Sequence, residues 1–133
     1  MLLTFSKDRF VDDIRNGTKI HTIRTDKANR WKPGNKIHFW RGNPRNIKNN
    51  PYSFGDSTCK SVQEIVIHRV PDSMTEFEHG VMVLIGDRWL QDWEIQQLAK
   101  NDGLSPREFR VWFVPLGQEK FTGKIIHWTD IKY

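Results

Sequence analysis

The sequence predicts a single α+β domain in which a small barrel or curled sheet carries helices packed beside its opening. Three observations lead there. The chain has 133 residues, the length of one domain able to bury its own core. Its apolar residues, read by their spacing, give the order β, α, several β, α, α, β. No internal repeat, low-complexity segment or linker divides it, so residues 1–133 read as one unit.

Leu2 to Phe5 is a short apolar strand, and Ser6 can cap a helix whose buried face carries Phe10, Val11 and Ile14. Asn16-Gly17 ends that helix, because glycine accepts the left-handed position just past a helix C-terminus. Lys19 to Arg24 then forms a strand leaving the turn. Trp31-Lys32-Pro33-Gly34 is a turn signal leading into the strand Lys36 to Trp40, where Ile37 and Phe39 share a face. Gly42 to Ser57 reads as a long Gly/Pro/Asn/Ser-rich loop. Lys60 to Val70 and Val81 to Ile85 are two further strands. A helix follows from Leu90 until Asn101-Asp102-Gly103 breaks it. The next helix, Pro106 to Phe113, has Ser105 as N-cap, Pro106 at the first helical position and Glu108 completing a capping box. Phe121 to Thr129 is the last strand, and Trp112 and Trp128 are expected in the core.

Composition narrows the function. Hydrophobic residues make up 37% and charged residues 28% of the chain, the balance of a folded domain rather than a disordered one. The single cysteine, Cys59, excludes an intramolecular disulfide framework and fits a reducing, cytoplasmic compartment. Met1 to Phe5 is too short for a signal core, and the longest apolar run, Val81 to Ile85, is far below the roughly 20 residues that span a bilayer. No membrane partner is expected. His38, His68, His79 and His127 have no paired ligand spacing, so neither a metal nor another cofactor is expected.

Charge is unevenly distributed. Residues 1–60 hold 13 Lys/Arg against 5 Asp/Glu, whereas residues 61–133 hold 8 against 11. Between Arg15 and Lys48 the only acid is Asp26. That basic stretch is the natural face for phosphates, with Lys27, Arg30 and Lys32 as contacts and Trp31 either stacking a base or pinning its turn against the sheet.

Within this stretch, Gly17-Thr18-Lys19-Ile20-His21-Thr22-Ile23-Arg24 sets two cations and a hydroxyl just after a tight turn. Lys19 can stabilise an oxyanion or, if burial lowers its pKa, act as a base. Thr22 can attack or hydrogen-bond, and Arg24 can fork onto a phosphate or carboxylate. Lys19 and Thr22 lie three residues apart, so a regular strand would point them to opposite faces, and joint action requires Lys19 to stay in the turn. His21 would share the Lys19 face and contact substrate. The same segment also reads as a surface strand with solvated charges.

The spacing Gly17-x-Lys19-x-x-x-x-Arg24 after a short helix, followed by Trp31-Lys32-Pro33-Gly34-Asn35-Lys36-Ile37, resembles the ASCH domain, a relative of the PUA domain. The resemblance implies a small β-barrel with a cleft for RNA or nucleotide-derived ligands. Lys19, Thr22 and Arg24 are especially similar to the segment of small hydrolases that deacetylate N4-acetylcytidine. In those, the lysine is the proton acceptor, the threonine the nucleophile and a glutamate the proton donor; the segment around Asn101 to Phe109 aligns that glutamate with Asp102.

Two readings of function follow. The first is an RNA- or nucleoside-binding domain whose basic cleft holds a nucleobase through Lys19, His21, Arg24, Lys27, Arg30, Trp31 and Lys32. The second is an amidohydrolase on acylated nucleosides in which Lys19, Thr22 and Asp102 are catalytic. A scaffold domain with an incidental basic surface is the third possibility, and Asp102 reads equally as a turn aspartate.

Overall fold

A computed structural model describes all of residues 1–133. The chain runs β1 (Leu2–Phe5), α1 (Asp8–Arg15), β2 (His21–Arg24), β3 (Lys36–Arg41), a single 3-10 turn (Ile47–Asn49), β4 (Tyr52–Thr58), β5 (Ser61–Arg69), β6 (Val81–Ile85), β7 (Arg88–Trp89), α2 (Asp92–Asn101), α3 (Pro106–Phe113) and β8 (Lys120–His127). The expected α+β class is therefore observed. Its strands form two sheets, β1-β3-β4 and β2-β8-β5-β6-β7, whose hydrogen-bonded ladders do not join into a closed ring. No helix is long and apolar enough to cross a membrane.

β1 and β3 pair in parallel, with Leu3 opposite Phe39, and α1 lies in the connection between them. In the larger sheet β8 is the spine, paired antiparallel with β2 on one side and β5 on the other. The strict period of two in Val81, Val83 and Ile85 buries one face of β6. By contrast, His21-Thr22-Ile23 and Ile125-Ile126-His127 are buried without alternation, so these paired segments are covered on both faces. Gly123 permits the close approach of β2, because a Cβ there would lie 2.6 Å from the Arg24 carbonyl oxygen. Both sheets and the three helices share one core, with Ile37, Ile65, Leu98, Phe109 and Ile125 fully enclosed.

Several boundaries differ from the sequence expectations, each for a physical reason. Lys7, not Ser6, is the N-cap of α1, and no side chain caps that helix. The strand expected from Lys19 begins at His21, since the backbone N–H groups of Thr18 and Lys19 both turn back to the Asp13 carbonyl, at 2.9 Å each. The expected loop Gly42 to Ser57 contains the 3-10 turn and most of β4. This strand pairs only with β3 and is largely exposed, so it needs no apolar alternation. Its ladder skips Phe54, which bulges and stacks on Phe39 with ring centroids 5.6 Å apart. β7, only two residues long, left no periodic signal. Trp128 packs against the core as expected, but Trp112 is 47% exposed rather than buried in the core. α3 and its Ser105–Glu108 capping box are observed as the sequence predicts.

Candidate functional site: a cleft floored by a buried lysine–aspartate pair

A cleft of about 520 Å³ opens where the ends of β1 and β3 meet β2, α1 and α3. Phe5, Phe10, Trp112 and Phe113 give it aromatic walls, and Arg24, Arg41 and Thr22 supply polar groups. Lys19 and Asp102 line its floor.

The floor is built by two turns that meet. Gly17, at φ +82°, reverses the chain after α1, and the Ile20 N–H then donates to the carbonyl of Asn101, the last residue of α2, at 2.9 Å. That bond docks the Lys19 turn on the end of α2, beside Asp102. The next residue, Gly103, has φ +81°, and a Cβ there would stand 3.2 Å from the Phe10 ring and 3.3 Å from Lys19 Cδ. Any side chain would be strained and would press on the floor.

Lys19 is 3% and Asp102 4% exposed. The Lys19 ammonium donates to Asp102 Oδ1 at 3.0 Å and to the Asp102 carbonyl at 2.6 Å, and it sits 5.0 Å from the Phe10 and 5.6 Å from the Phe5 ring centroid. Burial pulls the Lys19 pKa below its usual range, with Asp102 opposing the shift. For Asp102, burial favours the neutral acid, but the nearby ammonium and the His21 hydrogen bond outweigh it, and the carboxyl is held below the ordinary carboxylate range. The two groups thus face each other at the distance of a buried salt bridge.

Behind it runs a chain of hydrogen bonds. His21 is fully buried, and burial lowers its pKa, leaving the ring neutral. His21 Nδ1–H donates to Asp102 Oδ1 at 3.2 Å, and Nε2 accepts from the Tyr133 hydroxyl at 2.6 Å. That hydroxyl accepts from Asn101 Nδ2 at 2.8 Å. Gln63 holds the Tyr133 backbone at both its N–H and its carbonyl, and Gln63 Oε1 also accepts from His127 Nε2 at 2.9 Å. His127, packed edge-on against His21, has its pKa pushed down to about 4 by burial and by that neighbour, and its Nδ1 has no hydrogen-bond partner.

On the cleft side, Thr22 is 3% exposed and its hydroxyl accepts from Arg24 Nε at 3.1 Å. Arg24 Nη2 donates to the Thr4 carbonyl at 2.7 Å, and the guanidinium lies 5.0 Å from the Phe5 ring centroid. Opposite, Arg41 Nε lies 3.1 Å from Asp8 Oδ1, close enough for an ion pair but without hydrogen-bond alignment.

The site residues expected from sequence divide into three groups. Lys19, Thr22, Arg24 and Asp102 come together in the cleft, with Lys19 in the turn as joint action with Thr22 requires. His21 lies behind the floor, bonded to Asp102 rather than lining the cleft. Lys27, Arg30, Trp31 and Lys32 line no part of it. Trp31 is buried in the core, and Lys27 borders a separate groove with Asp26, Glu64 and Lys124. Asp26, the lone acid of the basic stretch, organises that turn: its carboxylate accepts from the N–H groups of Arg30 and Trp31, at 2.9 Å each, and pairs with Lys124 at 3.2 Å.

The sequence reading missed Phe5, Phe10, Arg41, Trp112 and Tyr133. For Trp112 there was a signal, since α3 already had Phe109 and Phe113 for its buried face. Tyr133 had none. Comparison with protein-family models, curated proteins and solved structures gives no match.

Proposed function

We propose that the cleft binds the base of a nucleoside or of an RNA nucleotide. The observation that carries this reading is the meeting of four aromatic side chains, Phe5, Phe10, Trp112 and Phe113, with Arg24, Arg41 and the Thr22 hydroxyl in a concave space of about 520 Å³, a size and lining suited to one planar, carbonyl-bearing ring. Arg24 uses Nε and Nη2 within the protein, so Nη1 is available to a ligand oxygen, as is the hydrogen of the Thr22 hydroxyl. The resemblance of Gly17 to Arg24 and of Trp31 to Ile37 to the ASCH domain supports the same reading. On that view the two sheets are the halves of a curled, PUA-like barrel, working in a reducing cytoplasm.

Calorimetric titration with the common nucleosides and with N4-acetylcytidine tests it. Binding is expected, and Thr22→Val, which keeps side-chain volume but removes the hydroxyl, weakens it about tenfold. Absence of binding by all of them, or a variant that binds as tightly as the parent, refutes the reading.

A second reading, hydrolysis of an acylated nucleobase, is favoured by one observation: the buried Lys19–Asp102 pair lies in the same cleft as Thr22. An ionised Asp102 has no proton to give. A ligand that expels water from the floor would favour transfer of one proton from Lys19 to Asp102 across their 3.0 Å contact. That single shift creates both a neutral amine and a carboxylic acid. Thr22 Oγ then adds to the acyl carbon as its proton passes to Lys19, and Asp102 protonates the departing amine. Water hydrolyses the resulting threonyl ester, releasing the acid. Acetate release from N4-acetylcytidine, absent in Thr22→Val, is the expected result; equal release by that variant removes this reading.

A further inference from the structure

Trp112 faces two concavities. Besides the cleft, it lines a neighbouring groove of about 710 Å³ together with Lys7, Arg9, Arg107, Glu108 and Val111. We propose that this groove seats the nucleotide adjoining the one in the cleft, so that the protein takes its base from a single-stranded polynucleotide. The inference rests on the base-binding reading of the cleft and adds a second subsite to it.

Three features converge on this occupant. Trp112 is large and half exposed, yet held: its ring meets Phe10 edge-on, with centroids 5.7 Å apart. A fixed, accessible indole is a stacking platform that accepts any base, because every base has a π face. The groove is also positive. Its one lining acid, Glu108, is occupied by Arg9 at 2.6 Å and by the Ser105 N–H, and Asp8 next to Lys7 faces Arg41. Lys7 and Arg107 are exposed and have no acidic partner within 4.0 Å, so both can meet phosphates. Finally, Trp112 is common to both spaces, so a ligand in the cleft can continue over the indole into the groove. An isolated nucleoside fills only the first of these spaces.

The test compares the four common nucleosides with fluorescent homo-oligomers of about eight nucleotides, as RNA and as DNA, over a range of salt. The variant is Lys7→Gln with Arg107→Gln, two exposed residues that do not line the cleft, checked for an unchanged melting temperature. Oligomers are expected to bind at least about tenfold more tightly than nucleosides. The variant should lose that gain, keep nucleoside affinity, and flatten the slope of log K against log salt by about 1.4, two contacts at about 0.7 each for a single strand. Nucleosides that bind while oligomers gain nothing, or a variant with no effect on oligomers, overturn this inference and leave the cleft reading standing. Failure of nucleosides and oligomers alike overturns both. A polyglutamate peptide that competes as well as an oligomer also overturns it, since charge alone would then suffice. The RNA and DNA arms report whether the sugar hydroxyl is read.

Discussion

Replacing Asp102 by asparagine isolates the charge on the cleft floor. Asparagine has nearly the same shape, and its Oδ1 can still accept from His21 Nδ1, so what is lost is the counter-ion of Lys19. Removing one member of a buried ion pair costs about 3–5 kcal/mol, because the survivor stays desolvated and uncompensated. Two features moderate that figure: Lys19 keeps the backbone carbonyl of residue 102 at 2.6 Å, and it can discharge. We therefore expect a loss of about 3 kcal/mol at pH 7, or roughly 10 °C in melting temperature. The pH dependence gives the sharper test. Without Asp102 the folded-state pKa of Lys19 falls further below 10.5 than it does in the parent. The folded variant then binds fewer protons than its unfolded chain, and its stability climbs with pH up to the unfolded lysine pKa, by at most about 1.4 kcal/mol per unit. The parent, whose Lys19 is supported by Asp102, climbs less. Urea titrations at pH 7, 8.5 and 10 should show the two proteins converging. A deficit below about 1 kcal/mol at pH 7, or one that stays constant to pH 10, would mean that Lys19 and Asp102 do not form the buried pair described above.

Three further outcomes are expected. His127, depressed from 6.5 to about 4, binds fewer protons folded than unfolded, so its contribution is complete above pH 6.5 and is lost as pH falls towards about 4; urea midpoints should drop over that window by an amount equivalent to at most about 3 kcal/mol, and His127→Gln should flatten the drop. Gly103→Ala combines a left-handed backbone with a Cβ pressed on Phe10 and Lys19, and should destabilise by about 1–3 kcal/mol in chemical denaturation. Tyr133→Phe leaves His21 Nε2 without its donor and should cost about 1–3 kcal/mol, with nitrogen NMR of His21 reporting the change at Nε2; an unaltered spectrum would count against the hydrogen-bond chain.

What could be read in the sequence was local. Ser105, Pro106 and Glu108 specify the start of α3 with backbone hydrogen bonds only a few residues away, and Ile37 with Phe39, or Val81 with Val83, announce half-buried strands by alternation. Lys19, Thr22 and Arg24 stand out together in one short segment, whereas only a family resemblance joins Asp102 to them; spacing alone does not pair residues 19 and 102. The rest depended on tertiary placement. β4 has no apolar stripe because it is an edge strand, and His21 reads as a surface residue until β8 and Tyr133 cover it. The basic stretch looked like one face, but folding distributes it. Lys19, Arg24 and Arg41 enter the cleft, whereas Lys27 turns to another groove and Trp31 anchors the turn in the core.

The hydrogen bonds that close the cleft floor join residues 83, 81 and 112 positions apart. Loop closure over such distances comes late, after the local helices and hairpins have formed. A chain with its sheets begun but its floor open has neither the lysine charge fixed nor Thr22 enclosed, and so has nothing to offer a ligand. A ligand of the proposed kind would therefore bind only the finished molecule, and its affinity would draw on the whole folding equilibrium rather than on one loop. Occupancy of the cleft by such a ligand would report that the chain has completed its folding.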